Sequence, residues 1–586
     1  MTPPRPGAAR EAVMTFRHEL WALRRRFAAA YLVTVTAVGA GLLGPLLVKV
    51  MIDWLVTGRR PGLLDAGPAA GWPPDAVAAL LGAALVVTGI AGALAESGDG
   101  LLMARIRERL ALVIRRRVST HLQTLPPTIR TTHRSGELVL RLVGDVDQLT
   151  RFFTKTLPLL VRHVATAILT LGAMLWISPG VGVAAALALP ALVLLVRRHG
   201  RDISRTSRLK RRRDGEVAAL AQEIVRGLPV LQAMGTTGGA AARFDTVSAD
   251  SLRAGVEAAR AATRLERTFE LARGVAIAAV TAGGALVVLR GRLTVGELTV
   301  IAAYVTQLLK PIDKINDLIE ATTRGLVAAE RLSGLLAERP AVSDPAHPRT
   351  IGLARGRLEL DDVWFAYPGP GPSPFVLRGV TASFEPGSFS VVLGRSGAGK
   401  STLFSLFVRL FDPASGTVRL DGHPVPALAL ADLRAQFAVM TQDLHLFSGS
   451  IRETLSGVAA VPEGALWDAL ARVAMDGFVR RLPHGLDTVL GEDGVNLSGG
   501  QRQRISLARA LLLYRPVLLL DEPLANVDRE SARVILEALA SLRIGRTVIA
   551  ITHETDLAAY ADHVYRLDEG RLEPVPEARA RAGVAP

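Results

Sequence analysis

Gly394-Arg-Ser-Gly-Ala-Gly-Lys400-Ser401-Thr402 places three glycines, three hydroxyls and one lysine in nine positions. The run fits the phosphate-loop pattern G-x-x-x-x-G-K-[ST] throughout. It follows an apolar stretch, Ser390–Leu393, that reads as a buried strand. It precedes Thr402-Leu-Phe-Ser-Leu-Phe-Val, which reads as a helix start. In that strand–loop–helix setting, Gly394, Gly397 and Gly399 let the backbone close round a phosphate, with Ser396 and Thr402 in the same cradle. Lys400 is expected on the β- and γ-phosphates of ATP and the Ser401 hydroxyl on Mg²⁺. Only six of the 69 Lys and Arg residues are Lys, and Lys400 is the last of them. Where Arg has displaced Lys almost everywhere, a retained ammonium points to chemistry a guanidinium does not do.

Two further stretches carry compatible chemistry. Leu518-Leu-Leu-Asp521-Glu522 is an apolar strand ending in two acids, about 120 residues beyond the loop. Asp521 suits Mg²⁺, and Glu522 is placed to polarise a water attacking the γ-phosphate. Leu497-Ser498-Gly499-Gly500-Gln501 opens a basic helix. A serine hydroxyl and exposed amides at a helix start make a second anion nest. One domain with two phosphate-binding elements suggests that Ser498, Gly499, Gly500 and Gln501 complete a site on another copy.

The elements that position these groups follow from composition. A chain of 586 residues accommodates two or more domains. Its 49 % apolar content suits a partly membrane-embedded protein. The net charge of +15 comes from Arg clusters that flank apolar stretches, so anionic lipid rather than nucleic acid is the expected partner. There is no Cys, hence no disulfide or thiolate metal site. Apolar runs predict six spans at about 27–56, 76–94, 153–177, 181–196, 269–289 and 295–318. Arg105–Arg117 and Arg197–Arg213 follow the second and fourth spans, whereas the alternate loops near Arg59 and Arg290 are short and poor in charge. The positive-inside rule puts the basic segments, both termini and the nucleotide site in the cytoplasm. No signal peptide is read at the N-terminus. The fold class is an all-α six-helix transmembrane domain (21–335, after a polar tail at 1–20), a linker (336–355), and an α/β P-loop NTPase domain (356–575). A disordered tail is expected at 576–586.

Phosphate loop and Leu-Ser-Gly-Gly-Gln together resemble the ATP-binding cassette (ABC) transporters, specifically the exporter-type half-transporters, over about residues 20–575. The resemblance implies roles at further positions. Tyr367, in Val-Trp-Phe-Ala-Tyr-Pro, matches the aromatic stacked on adenine. Gln442 matches the glutamine that touches Mg²⁺, Asp528 the D-loop aspartate, and His553 the switch histidine on the γ-phosphate. Gly491–Gly494 is similar to the exporters' cross-linking loop, with Asp493 where an arginine is usual. The D-loop carries Leu524 and Ala525 in place of the usual Thr-Ser. Pro126–His133 and Glu223–Gln232 match the coupling helices that dock on nucleotide domains. A second half-transporter, identical or different, is the implied partner, and the bacterial plasma membrane the implied site.

Polar groups inside spans are functional candidates. Arg162 and His163 lie in the third span, Glu270 and Arg273 in the fifth. Glu270 and Arg273 are three apart on one helix face, so they either pair with each other or meet substrate. Lys49 and Asp53, near the outer end of the first span, read as a gate pair or a solvated pair. With no cage of acids or histidines, a bare metal ion is not the expected cargo. The expected activity is ATP-driven export of an amphipathic or hydrophobic organic compound, lipid or peptide. One alternative is import of a metal–siderophore by a heterodimer. Another is a non-transporting regulatory ATPase, against which the spans and coupling-like loops argue.

Overall fold

A computed structural model describes residues 8–58, 72–129, 133, 135–368, 373–395, 397–442, 446, 449–457, 461–491, 497–525, 527–542 and 545–576. Two compact units divide the chain: Met1–Gln123 with His133–Glu338, and Thr124–Thr132 with Arg339–Pro586.

The first unit is helical. Among the described residues, Arg24–Thr57, Pro74–Leu122, Gly136–Ile177 and Thr237–Leu289 are long and apolar enough to cross a membrane. The described apolar parts of the other two expected spans, Pro179–Ala188 and Val295–Leu309, are shorter and begin the helices Pro179–Ala233 and Val295–Asp313. The sixth helix does not run to Leu318: it breaks at Lys314, and Ile315–Ala337 forms a separate helix. The helix Pro74–Leu122 has 49 residues, more than twice the ~20 that cross hydrocarbon, so its basic second half extends beyond the bilayer. The third span enters through two π-helical turns, Arg141–Asp145 and Phe152–Thr156.

Leu42, Met174, Val300, Ile301 and Tyr304 form a core that joins the first, third and sixth spans. The buried Tyr304 hydroxyl donates to the Leu42 carbonyl at 2.9 Å, which removes the cost of an unpaired polar group there. Toward the C-terminal end of the first span, Lys49 and Asp53 do more than pair. Lys49 Nζ lies 3.5 Å from Asp53 Oδ2 and 3.5 Å from Glu297 Oε1. Asp53 Oδ1 accepts the Gly296 N–H at 2.8 Å, and Thr294 and Glu297 cap the same helix start reciprocally at 3.0 Å.

The stretch expected as a polar tail contains two helices, Ala8–Thr15 and Arg17–Ala22. Ala12 and Phe16 are buried, and Glu19 accepts from Arg117 at 2.6 Å. An apolar stripe spaced one turn apart gave this segment something to bury. Residues 1–7, and 577–586 of the other expected tail, lie outside the described residues.

The second unit is α/β. Its strands are β1 (Leu358–Phe365), β2 (Leu377–Phe384), β3 (Phe389–Gly394), β4 (Ser415–Leu420), β5 (His423–Pro424), β6 (Phe437–Met440), β7 (Gly449–Ser450), β8 (Val489–Leu490), β9 (Val517–Asp521), β10 (Thr547–Thr552), β11 (His563–Asp568) and β12 (Arg571–Pro574). An antiparallel sheet has the order β2-β1-β4-β5, the main sheet β12-β11-β3-β10-β9-β6, and β7 pairs with β8. In the main sheet β11, β3, β10, β9 and β6 run parallel. β9 and β10 are buried at every residue, and β3 at all but its last, as strands covered on both faces must be.

The expected linker is partly built into this unit. The Arg349 N–H donates to the Ala427 carbonyl at 2.9 Å, and the Asp421 carboxylate accepts the N–H groups of Arg355, Gly356 and Arg357. Its Pro and Gly residues read as loop, but the acids that satisfy its backbone lie some 65 to 80 residues downstream.

The approach of Gly296 to the first span supplies a test. A Cβ at Gly296 would stand 2.5 Å from the Lys49 carbonyl and 2.6 Å from Asp53 Oδ1. Gly296→Ala is expected to force these helices apart and destabilise the unit by ~1–3 kcal/mol, read as a lowered Tm in detergent. An unchanged Tm would refute the close approach.

Candidate functional site

Parallel order turns four separate stretches of sequence into one site. β3, β10, β9 and β6 are successive neighbours, so their C-terminal ends share one edge, where ligands of parallel α/β sheets bind. The phosphate loop leaves β3, His553 follows β10, Asp521 ends β9 with Glu522 next, and Gln442 lies just past β6. The register places Leu393 opposite Thr552, and Ile551 opposite Asp521.

The loop closes on itself. Gly399 has φ +102°, and a Cβ there would also stand 3.0 Å from Val376. Gly397 is likewise left-handed. The helix Lys400–Phe407 starts at once, so its free N–H groups face the loop. Lys400 is buried, and its Nζ donates to the carbonyls of Gly394 at 2.7 Å and Arg395 at 3.1 Å. Burial lowers its pKa, while Glu522 and Asp521 push the other way. Ser401 Oγ donates to Asp521 Oδ2 at 2.8 Å. Burial raises the Asp521 pKa, and the Ser401 hydrogen bond opposes it. Ser396 lies outside the described residues.

Glu522 is held at both backbone ends. It has φ +50°, a conformation uncommon outside glycine. Its N–H donates to the Ile551 carbonyl at 2.8 Å, and its carbonyl accepts from Gln503 Nε2 at 2.6 Å. Its side chain lies 3.2 Å from His553 Nδ1. Glu522 is 15 % exposed and His553 56 %, so the acid is shielded and the imidazole open to a ligand. Tyr367 donates or accepts at 2.8 Å with Thr402 Oγ1 and meets Phe365 and Phe411 edge-on. Gln442 is exposed beside the same edge.

Ser498 caps the helix Gly499–Leu512 in a reciprocal box with Gln501: Ser498 Oγ accepts the Gln501 N–H at 3.3 Å, and Gln501 Oε1 accepts the Ser498 N–H at 2.9 Å. Asp528 accepts the Ser531 N–H at 2.9 Å, and this bond lowers its pKa. Leu524, the departure in the D-loop, is buried in the core. Glu492–Gly494 of the cross-linking loop lie outside the described residues.

The membrane candidates form different pairs. Glu270 and Arg273 hydrogen-bond to each other. Arg162 Nη1 donates to Glu96 at 2.8 Å. His163 Nε2 is buried and lacks a hydrogen-bond partner. Sequence reasoning missed Glu96, Glu297 and Gln503. Glu96, lying just past the apolar run that ends near Leu94, could have been flagged as a charge at a span's edge; Gln503 carried no separable signal within its polar helix start.

Fold and site together define a membrane-spanning P-loop ATPase. Residues 27–312 match the model for the ABC transporter transmembrane region, and residues 377–525 the ABC transporter model. The chain belongs to the ABC transporter family. It is 32 % identical over 531 residues to the ATP-dependent lipid A-core flippase of Chromobacterium violaceum, covering 90 % of this chain and 87 % of that one. The flippase of Vibrio cholerae is 30 % identical, with 79 % of each chain covered. The fold is that of a bacterial Atm1-family ABC exporter solved with ATP bound: TM-score 0.78 at 24 % identity, over 96 % of this chain and 97 % of that one. The protein is therefore an exporter-type half-transporter, multi-pass in the membrane, that couples ATP hydrolysis to transport and works as a dimer.

Gln503 gives a test of the geometry. Gln503→Leu leaves the Glu522 carbonyl unpaired beside a shielded acid, a penalty of ~1–3 kcal/mol. We expect kcat for ATP hydrolysis to fall about tenfold with KM little changed; equal kcat would show that the Gln503 bond does not position Glu522.

Proposed function

We propose that this chain exports a lipid or lipid-like amphiphile across the bacterial plasma membrane by alternating access. The names of its relatives support the lipid class. The observation that carries the energetic half is the convergence of Lys400, Ser401, Asp521, Glu522 and His553 at one sheet edge.

In this reading Lys400 and the loop N–H groups bind the β- and γ-phosphates, and Tyr367 receives adenine. Ser401 and Asp521 bring two hard oxygen donors together, a set suited to Mg²⁺. These two, with Gln442, would hold the ion, which when bound neutralises phosphate charge. Glu522 accepts the proton of the attacking water as its oxygen bonds to the γ-phosphorus and ADP leaves. His553, hydrogen-bonded to Glu522, faces the γ-phosphate. Ser498, Gly499, Gly500 and Gln501 complete the site of the other copy, with Asp528 at the junction.

Coupling would run through the cytoplasmic loops. Thr124–Thr132 groups with the nucleotide unit, which supports Pro126–His133 as one coupling element. In the other, Glu223–Gln232 and just beyond, Val225 and Leu228 are exposed on one side of the helix and Val230 and Met234 on the other, apolar surface suited to a second protomer. The Arg clusters support a cytoplasmic side for these loops and both termini.

In lipid nanodiscs Glu522→Gln is expected to lower ATP hydrolysis by ~10²–10⁴-fold while ATP binding persists, and EDTA to abolish turnover. Undiminished hydrolysis in Glu522→Gln would remove the base assignment. Fluorescent-lipid translocation in proteoliposomes, ATP-dependent in wild type and lost in the variant, tests the cargo class; hydrolysis with no lipid movement would refute it.

A further inference from the structure

A cavity of about 280 Å³ lies between the first, second and third spans. Its polar lining comes from Thr34, Asp99, Arg107, Lys155 and Arg162, and Glu96 at its edge accepts from Arg162. Three cations and one carboxylate line it, and with Arg162 paired to Glu96 and Arg107 to Glu108, Lys155 is the cation left for a ligand among the described residues. It lies toward the span ends flanked by Arg24-Arg25-Arg26 and Arg105–Arg117, the side assigned to the cytoplasm. Lys155 begins the third apolar stretch, Arg162 lies two turns deeper, and Asp99 follows the end of the second.

A cation near hydrocarbon is costly unless paired or hydrated. Arg162 has Glu96 at 2.8 Å, and Arg107 Nε has the neighbouring Glu108 at 3.1 Å. Lys155 has no such partner among the described residues. Asp99 spends one oxygen on the Thr34 hydroxyl at 3.1 Å and keeps acceptor capacity. Cations beside one free acceptor suit an anion that also carries a donor. Size narrows it further: the volume is below the ~300–1,000 Å³ of small-molecule pockets, so it admits a polar headgroup and not a whole lipid. Met103 and Leu159 supply the apolar wall along which a chain could leave.

We propose that this cavity binds the anionic, hydroxyl-bearing phosphate headgroup of an inner-leaflet phospholipid. Lys155, Arg107 and Arg162 take the phosphate, and Asp99 accepts from a headgroup hydroxyl. The site depends only on the chain's place in the membrane and stands whether or not the transported compound is a lipid.

Delipidated full-length protein in detergent is titrated with phosphatidylglycerol, phosphatidylcholine or inorganic phosphate, and bound molecules are counted by native mass spectrometry. Phosphatidylglycerol should be retained over phosphatidylcholine. With each basic residue near an anionic lipid contributing ~fivefold, the Lys155→Gln/Arg162→Gln double variant should lose ~25-fold. The charge-keeping pair Lys155→Arg/Arg162→Lys should restore binding. Equal retention by the neutralised variant overturns the proposal. So does phosphatidylcholine binding as well as phosphatidylglycerol, or inorganic phosphate binding as tightly as lipid. Loss in the charge-keeping pair as well would mark a packing defect and overturn it too.

Discussion

The hydrogen bond from Ser401 to Asp521, 2.8 Å long and spanning 120 residues of sequence, depends on the whole nucleotide unit being right. Ser401 comes just after β3 and Asp521 ends β9, strands that are not neighbours: β10 lies between them. Their separation is thus fixed by two strand spacings and two registers. A slip of one residue in either pairing would turn every side chain of that strand to the opposite face. Apolar residues on both faces of β3, β9 and β10 make such a slip expensive, since the layers on each side close over them. The chemistry rests on a register, and the register on burial.

That edge stores strain at one point. Glu522 adopts a left-handed backbone that costs ~1–3 kcal/mol unless its surroundings impose it. Here they do, from two directions: β10 through the Ile551 carbonyl and the helix Gly499–Leu512 through Gln503. This helix is the one that Ser498 and Gln501 open. A displacement of its N-terminus therefore reaches the backbone of the acid through one side chain. The start of this helix and the backbone of Glu522 are thus joined within a single domain by one side chain.

The convergence of the candidate nucleotide-site residues was legible in sequence for a physical reason. Each of these groups follows an apolar strand or opens a helix, and phosphate binding needs glycine, lysine and hydroxyl at fixed offsets, so local pattern and function coincide. Partners set by tertiary packing were not legible. Glu96 meets Arg162 across 66 residues, and Asp53 meets Gly296 across 243. The Glu270–Arg273 pair was readable because an i,i+3 spacing puts both on one helix face. The N-terminal helices were misread as tail because their apolar stripe is short, and only Ala12 and Phe16 show that it is buried. The linker was misread because Asp421, which ties down its backbone, carries no local mark of that role.

Helix length explains how a membrane unit can respond to nucleotide at all. Pro179–Ala233 has 55 residues and Thr237–Leu289 has 53, ~80 Å each at 1.5 Å per residue against ~30 Å of hydrocarbon. Most of each helix is therefore an extension into water. Isolated helices in water gain little from propensity alone, so these extensions need lateral ties. Across the seam, Ser251 donates to Asp214, Arg213 pairs with Asp250 and Arg243 with Glu223, while Lys210–Asp214 and Arg213–Glu216 brace one helix from within. Exposed ion pairs contribute little stability each, but two across one seam, with the Ser251 hydrogen bond, hold the two helices in register. A push at the turn near Gly235 then moves both helices together, and the exposed apolar residues Val230 and Met234 stand beside that turn.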